Sequence, residues 1–342
     1  MRKFNIFLLG CMIILFAGCG GDNGTDGDGE KPKPIRLVVD TQAVPSPADV
    51  NVGWTSVDSV LVEIGGSSLY GINNNLGKQN VTVKAIKRSD TLFLRVKWHD
   101  ATANIWGRYL DKSSYGMDWD SATYEGEDKF FVLMGTQNTD TMGANCAALC
   151  HATTHYTASG KTADVWKWMA TTTAPGFMAE DEWWTSSGRS LDATALNTFV
   201  YRRNWNSLNQ YPYWMHETGV AFDGPFLYLE DTATFNPSLA WDTLTSRLPG
   251  YAIDSTIRNS ATRGQSSRWD VAAISEYDSS GASYSEFTWT VVFSRALNTG
   301  HAEDINLGTL DSVQVSIAAT NDDYAEWNIA HSGSKPFWII LQ

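Results

Sequence analysis

Val81-Thr82-Val83-Lys84-Ala85-Ile86, followed by Thr91-Leu92-Phe93-Leu94-Arg95-Val96-Lys97-Trp98, is the stretch that decides the fold. In the second run Leu92, Leu94, Val96 and Trp98 recur at every other position, the spacing that puts side chains on one face of an extended chain. Val81, Val83 and Ala85 alternate in the same way. Lys87 to Asp90 joins the runs, a polar link of hairpin length. A sheet with one apolar face has to bury that face against a second layer.

Working outward, further strands are expected at Ile35–Asp40, Ser59–Ile64, Lys129–Met134 and Phe226–Glu230, and then at Trp269–Tyr277, Phe287–Ser294, Val313–Ala319 and Pro336–Leu341. Asp278-Ser279-Ser280-Gly281 punctuates two of them as a turn. Many strands with few helical stretches predict a mainly β chain, an antiparallel β-sandwich. Residues 101–215 read differently: long irregular stretches, few clean strands, and much of the Trp, Met and His. Loops of that length are uncommon unless functional. The expectation is long insertions at one end of the sandwich, folded into a cofactor pocket. No fixed-period repeat is present.

The amino terminus is an export signal. Met1-Arg2-Lys3 is a charged start, and the apolar run from Phe4 to Ala17 is short for a membrane span. Leu15-Phe16-Ala17-Gly18-Cys19 is similar to a bacterial lipobox. Residues 1–18 are therefore expected to be removed, Cys19 to carry lipid, and the Gly/Asp-rich residues 19–34 to act as a flexible tether for a domain over 35–342. Gly20 is not the aspartate associated with inner-membrane retention, which favours the outer membrane. The expected location is extracytoplasmic. The formal net charge of −13 argues against nucleic-acid binding, which needs basic surface. It is read first as plain solubility and is compatible with docking to a basic redox partner. Fifteen tryptophans could wall a haem, form a sugar platform, or simply fill a core.

With Cys11 in the removed segment and Cys19 lipidated, Cys146 and Cys150 remain. They lie in Cys146-Ala147-Ala148-Leu149-Cys150-His151. Two thiols can add to the two vinyl groups of a porphyrin, and the adjacent imidazole can ligate the iron. The usual spacing has two residues between the cysteines; the third here can bulge out without moving His151 relative to Cys150. The alternatives are a short-range disulfide and, with His155, a zinc site. Neither requires the Cys-His adjacency that haem attachment does. The expectation is one covalent haem c with His151 proximal.

From about Val81 to the carboxyl terminus the chain resembles the haem-binding subunit family of ethylbenzene dehydrogenase and related molybdenum enzymes of the DMSO-reductase type. The carriers are Val81–Ile86 with Leu92–Asp100, Glu127-Asp128-Lys129-Phe130-Phe131-Val132-Leu133-Met134, Asn145–His151, Ala163-Asp164-Val165-Trp166-Lys167-Trp168, Trp289–His301 with Glu303-Asp304, and His331-Ser332-Gly333-Ser334-Lys335-Pro336. The resemblance implies a β-sandwich with one haem in a loop-built pocket, passing single electrons outside the cytoplasm. A b-type haem with methionine and lysine ligands is the family precedent; Cys146 and Cys150 imply the c-type branch, in which histidine often stands where this chain has Lys167.

The distal ligand is expected to be Met215, in the aromatic run Tyr211-Pro212-Tyr213-Trp214-Met215-His216, with His216 and Lys167 as alternatives. Lys167 could ligate only if neutral, and could instead bond a haem propionate. Trp166 and Trp168 are expected pocket residues. Met169 is read as core packing, and His155 lies too near His151 to reach the opposite face of the ring. Asp118, Asp120, Glu125, Glu127 and Asp128 match no cation loop and are read as solvated carboxylates. No nucleophile elbow, Walker loop or dinucleotide fingerprint is present. The chain is thus expected to be a lipid-anchored c-type cytochrome without substrate turnover of its own, serving a molybdenum oxidoreductase or another cytochrome. The rival is a carbohydrate-binding or adhesion sandwich with exposed tryptophans and a Cys146–Cys150 disulfide.

Overall fold

The computed structural model describes residues 34–65, 78–105, 107, 109–111, 126–135, 157, 160–192, 201–209, 211–216, 226–236, 247–254, 267–323, 331–334 and 336–342. The cysteine–histidine motif, the expected export signal and Cys19, the expected lipidation site, lie outside them. Residues Ile35–Gln342 form one compact unit. In chain order the strands are β1 (Arg36–Val38), β2 (Val60–Ile64), β3 (Gln79–Arg88), β4 (Thr91–His99), β5 (Tyr109–Asp111), β6 (Glu127–Gly135), β7 (Thr162–Met169), β8 (Glu180–Thr185), β9 (Gly188–Leu191) and β10 (Tyr201–Arg203). They continue with β11 (Trp214–His216), β12 (Leu227–Tyr228), β13 (Thr232–Thr234), β14 (Arg247–Pro249), β15 (Tyr251–Ile253), β16 (Ala272–Asp278), β17 (Thr288–Ala296), β18 (Ser312–Asp323), β19 (His331–Gly333) and β20 (Phe337–Ile340). Helical segments among the described residues are short 3-10 turns, so the chain is mainly β.

Two large sheets make the sandwich. One runs β16-β17-β4-β3-β2 and is antiparallel throughout. The other runs β1-β20-β18-β6-β7-β8-β9, with β19 also on β18; it is antiparallel except where β1 lies parallel to β20. The hairpin of β3 and β4 forms as its alternation predicts: Val81, Val83, Ala85, Leu92, Leu94, Val96 and Trp98 all enter the core. Its link tightens to two residues, with Ser89 in the left-handed region at φ 52°. From the facing sheet the core takes Phe130, Val132, Met134, Trp166, Trp168, Val313, Val315, Ile317, Ala319, Phe337 and Ile339.

Aromatic side chains fill the middle of this core. Trp98 lies beside Trp289 across the β4–β17 register, with ring centroids 6.4 Å apart. Trp168 meets Trp289 edge-on at 5.0 Å and Trp98 at 6.0 Å. Trp289 Nε1 donates to Asp128 Oδ2 at 2.8 Å, which gives the polar end of a buried ring the partner it needs. None of the described tryptophans is exposed.

Four expectations are corrected. Residues 101–215 are not simply insertions at one end: β6, β7 and β8 belong to the large sheet. All nine residues of β6 are buried and β7 is buried from Ala163 onward, so both faces are covered and the period-two signal is lost. The strand expected from Trp269 starts at Ala272, because Ser267–Trp269 forms a 3-10 turn; Phe226–Glu230 shortens to β12 and then becomes the turn Leu229–Asp231. Glu127 and Asp128 are buried rather than solvated, accepting from Thr171 N and Asn104 N at 2.8 Å each.

Candidate functional site

Strands β7 and β8 carry charged side chains into the interior on both faces of the sheet. Alternation assigns the faces. Asp164, Trp166 and Trp168 point into the sandwich, while Ala163, Val165 and Lys167 point outward, beside Phe131, Leu133, Trp184 and Ala318. On β8, Glu180 and Glu182 share the outer face and Asp181 turns inward. The register sets Lys167 opposite Glu180, Trp166 opposite Asp181 and Val165 opposite Glu182.

On the outer face Lys167 Nζ lies 2.5 Å from both Glu180 Oε2 and Glu182 Oε1. Each carboxylate has an arginine as well: Arg268 holds Glu180, and Arg189 Nε lies 3.1 Å from Glu182 Oε2. Trp184 Nε1 donates to Glu182 at 2.9 Å. Burial alone would push the Lys167 ammonium down, but Glu180 and Glu182 outweigh it and hold it above its ordinary range. Burial would raise Glu180, yet Lys167 and Arg268 pull it down to about 2.

On the inner face Arg295 is the cation. Its side chain is fully buried, with Nη2 2.7 Å from Asp164 Oδ2 and Nη1 3.0 Å from Asp181 Oδ2, while Asp304 Oδ2 stands off at 3.9 Å. Nη2 also donates to Ile305 O at 3.2 Å, and the guanidinium lies 4.9 Å over the Trp166 ring. Asp164 Oδ2 accepts from Ile305 N at 2.9 Å. Asp270, just after the Ser267–Trp269 turn, is a fourth carboxylate around the guanidinium, and Asp192, just after β9, stands beside Asp304 at the edge of the group. Burial and mutual repulsion push Asp192 and Asp270 up to about 8, and raise Asp181 well above its ordinary range. One carboxylate oxygen from each of Asp181, Asp270 and Asp304 lies within 4.8 Å of the others.

The residues expected from sequence fall as follows. Cys146, Cys150, His151 and Cys19 lie outside the described residues. Trp166 and Trp168 are in the sandwich core, on the opposite face of β7 from Lys167, so the three do not line one pocket together. Met215 is buried in a satellite cluster with Trp205, Phe235 and Leu248, and its sulfur accepts from Asn236 N at 3.3 Å. His216 pairs through its backbone with Thr232. Sequence reading missed the carboxylate group altogether. The available signal was Asp164 and Lys167 set within an apolar strand, since a charge in a buried run requires a partner.

Comparison with known proteins adds a family. Residues 51–332 match the family model described as "Ethylbenzene dehydrogenase". No curated protein matches the sequence significantly. Among solved structures, one described as a "putative carbohydrate-binding protein" from Bacteroides uniformis ATCC 8492 aligns over 90% of this chain and 100% of its own, at 8% identity and a TM-score of 0.36.

Proposed function

Because the chain belongs to the ethylbenzene dehydrogenase family, we propose that it is an extracytoplasmic, lipid-anchored c-type cytochrome that carries single electrons on one covalent haem. The observation that carries this reading is Cys146-Ala147-Ala148-Leu149-Cys150-His151 behind an export signal. Cys146 and Cys150 would hold the porphyrin through thioether bonds, and His151 would ligate the iron from one side. Bound haem supplies a one-electron couple, and the protein sets its potential through ligation and burial. The partner would be a molybdenum oxidoreductase or another cytochrome.

The donor chemistry fits this group. Met215 is a buried thioether and, as a soft ligand, would complete the axial pair and raise the potential. Lys167 is the weaker alternative, because its ammonium is paired with two carboxylates and its pKa is raised, leaving no lone pair to offer. Within the described residues the carbohydrate rival lacks an exposed tryptophan platform.

Expression in a host with haem-attachment machinery tests the reading. Pigment should stay with the protein through acid–acetone extraction and be lost from the Cys146→Ala, Cys150→Ala double variant. The oxidised protein should show the weak long-wavelength charge-transfer band of methionine ligation, and Met215→Ala should remove it. A colourless protein with a Cys146–Cys150 disulfide overturns the proposal. Bis-nitrogen ligation in the spin-resonance spectrum overturns Met215, and His216→Ala and Lys167→Ala then locate the nitrogen.

A further inference from the structure

We propose that Asp181, Asp270 and Asp304 bind a hard divalent cation, calcium in the first instance, where β8 meets the Ser267–Trp269 turn and the chain leading out of β17. The three aspartates come from segments far apart in sequence, and the fold brings an oxygen of each within 4.8 Å of the others. Such a spacing suits three carboxylates converging on one ion with oxygen contacts of about 2.3–2.6 Å.

Unmet bonding capacity points to a ligand. Asp181 Oδ1, both oxygens of Asp270 and both of Asp304 are buried without a hydrogen-bond donor. Asp181 is fully buried and the Asp304 side chain is 1% exposed. Buried carboxylate oxygens ordinarily have partners, and leaving them without is costly. The neighbouring wall supplies an independent observation. Asp192 is 5% exposed, comes within hydrogen-bond reach of Asp304, and leaves its own Oδ1 without a donor. Ser267 Oγ donates to its other oxygen at 3.2 Å, which fixes the carboxylate in place.

Charge makes the same case. Arg295 engages Asp164 and Asp181 at 2.7 and 3.0 Å but comes no nearer than 3.9 Å to Asp304. One guanidinium faces Asp164, Asp181, Asp270 and Asp304, a group that carries excess negative charge unless its carboxyls hold protons, and a divalent ion would take the place of those protons. All the donors are carboxylate oxygens, with no imidazole or thiolate in the set, which selects a hard cation over zinc or copper. The irregular three-segment arrangement suits calcium, which tolerates flexible geometry, better than magnesium, which demands a near-ideal octahedron. A bound ion would tie β8, the 267–269 turn and the segment after β17 together, so binding would be read directly in stability.

The test uses the purified protein stripped with EDTA. Calcium at a hundredfold excess over its Kd should raise Tm by roughly 5–10 °C, and metal analysis should find about one calcium per chain after dialysis. Asp304→Asn should abolish the calcium response while being no less stable than the wild type in EDTA, since it also removes a repelling charge. If Asp304→Asn does not fold, terbium luminescence of the wild type decides: excitation through tryptophan should sensitise the ion, and calcium should displace it. Zinc retained in place of calcium overturns the hard-cation assignment. Unchanged Tm with every divalent ion, no retained metal and no sensitised terbium overturn the site, and mean that the carboxylates share protons instead.

Discussion

Arg295→Met is the perturbation that most directly weighs the buried charge network. The methionine keeps much of the stem but removes a guanidinium that lies 2.7 Å from Asp164, 3.0 Å from Asp181 and 4.9 Å from the Trp166 ring, and that donates to Ile305 O at 3.2 Å. Removing one partner from a buried ion pair costs about 3–5 kcal/mol, because the other charge stays buried and unpaired. The orphaned carbonyl of Ile305 adds about 1 kcal/mol. The expected loss is about 5 kcal/mol, a large part of the ~5–15 kcal/mol that holds a typical domain together. Urea denaturation at pH 7 in EDTA measures it, with no added cation to replace the lost charge. The pH dependence carries a second check. Burial already raises Asp164, and Asp181 stands well above its ordinary range with Arg295 present; without Arg295 both should rise further. A carboxyl raised in the folded state stabilises most below its unfolded value of 3.8 and loses that stabilisation as pH climbs through its folded value. The deficit of the variant should therefore be smallest near pH 4 and grow toward pH 8. A loss below about 1 kcal/mol, or a deficit that shrinks as pH rises, would refute the reasoning.

Two further substitutions test other parts of the molecule. Glu180 is held at about 2, so its contribution is present above the unfolded value of 4.5 and is lost as pH falls from there toward 2. Glu180→Gln should cost roughly 3 kcal/mol at pH 7 and flatten the acid limb of the stability curve; an unchanged limb counts against the Lys167–Glu180 pair. Gly53 sits at φ +87°, and a Cβ there would lie 2.1 Å from Val44 O, so Gly53→Ala should lower stability by about 2 kcal/mol or more in thermal unfolding. A loss below about 0.5 kcal/mol would show that the loop relaxes around the new methyl.

What could be read in the sequence was set by how each strand is buried. The β3–β4 hairpin turns its alternating apolar residues to the main core, while its other face, partly covered by Val50, Trp54 and Val57, carries Lys84, Arg95 and Lys97, so the strands are plain. Strand β6 is buried on both faces and gives a nearly continuous apolar run, which still reads as a strand. Strand β7 is buried on both faces too, but Asp164 and Lys167 interrupt it and mask its period. Asp164 hinted at a buried charge, but the carboxylate group could not be assembled from local spacing. Arg295 meets Asp181 across 114 residues, and Ser267 meets Asp192 across 75, so no local spacing records either contact. The family was legible because its motifs are short and ordered along the chain, and the match over residues 51–332 shows it.

The alternation of Glu180, Asp181 and Glu182 gives these charges a structural consequence beyond their individual pairs. Successive residues of β8 serve opposite faces: Glu180 and Glu182 meet Lys167 outside, and Asp181 meets Arg295 inside. Buried ion pairs are weak evidence for net stability, since desolvation consumes much of what attraction returns. They do discriminate between registers. Slipping β8 by one residue against β7 would flip every side chain, sending Glu180 and Glu182 toward Trp166 and Trp168 in the apolar core and taking Asp181 away from Arg295. Apolar contacts alone discriminate poorly here, because both faces of β7 are buried and either would accept a hydrophobic side chain. The charges therefore supply the register information that hydrophobic alternation supplies in β3 and β4. Register in turn fixes Trp166 under the Arg295 guanidinium and holds an oxygen of Asp181 within 4.8 Å of one from each of Asp270 and Asp304.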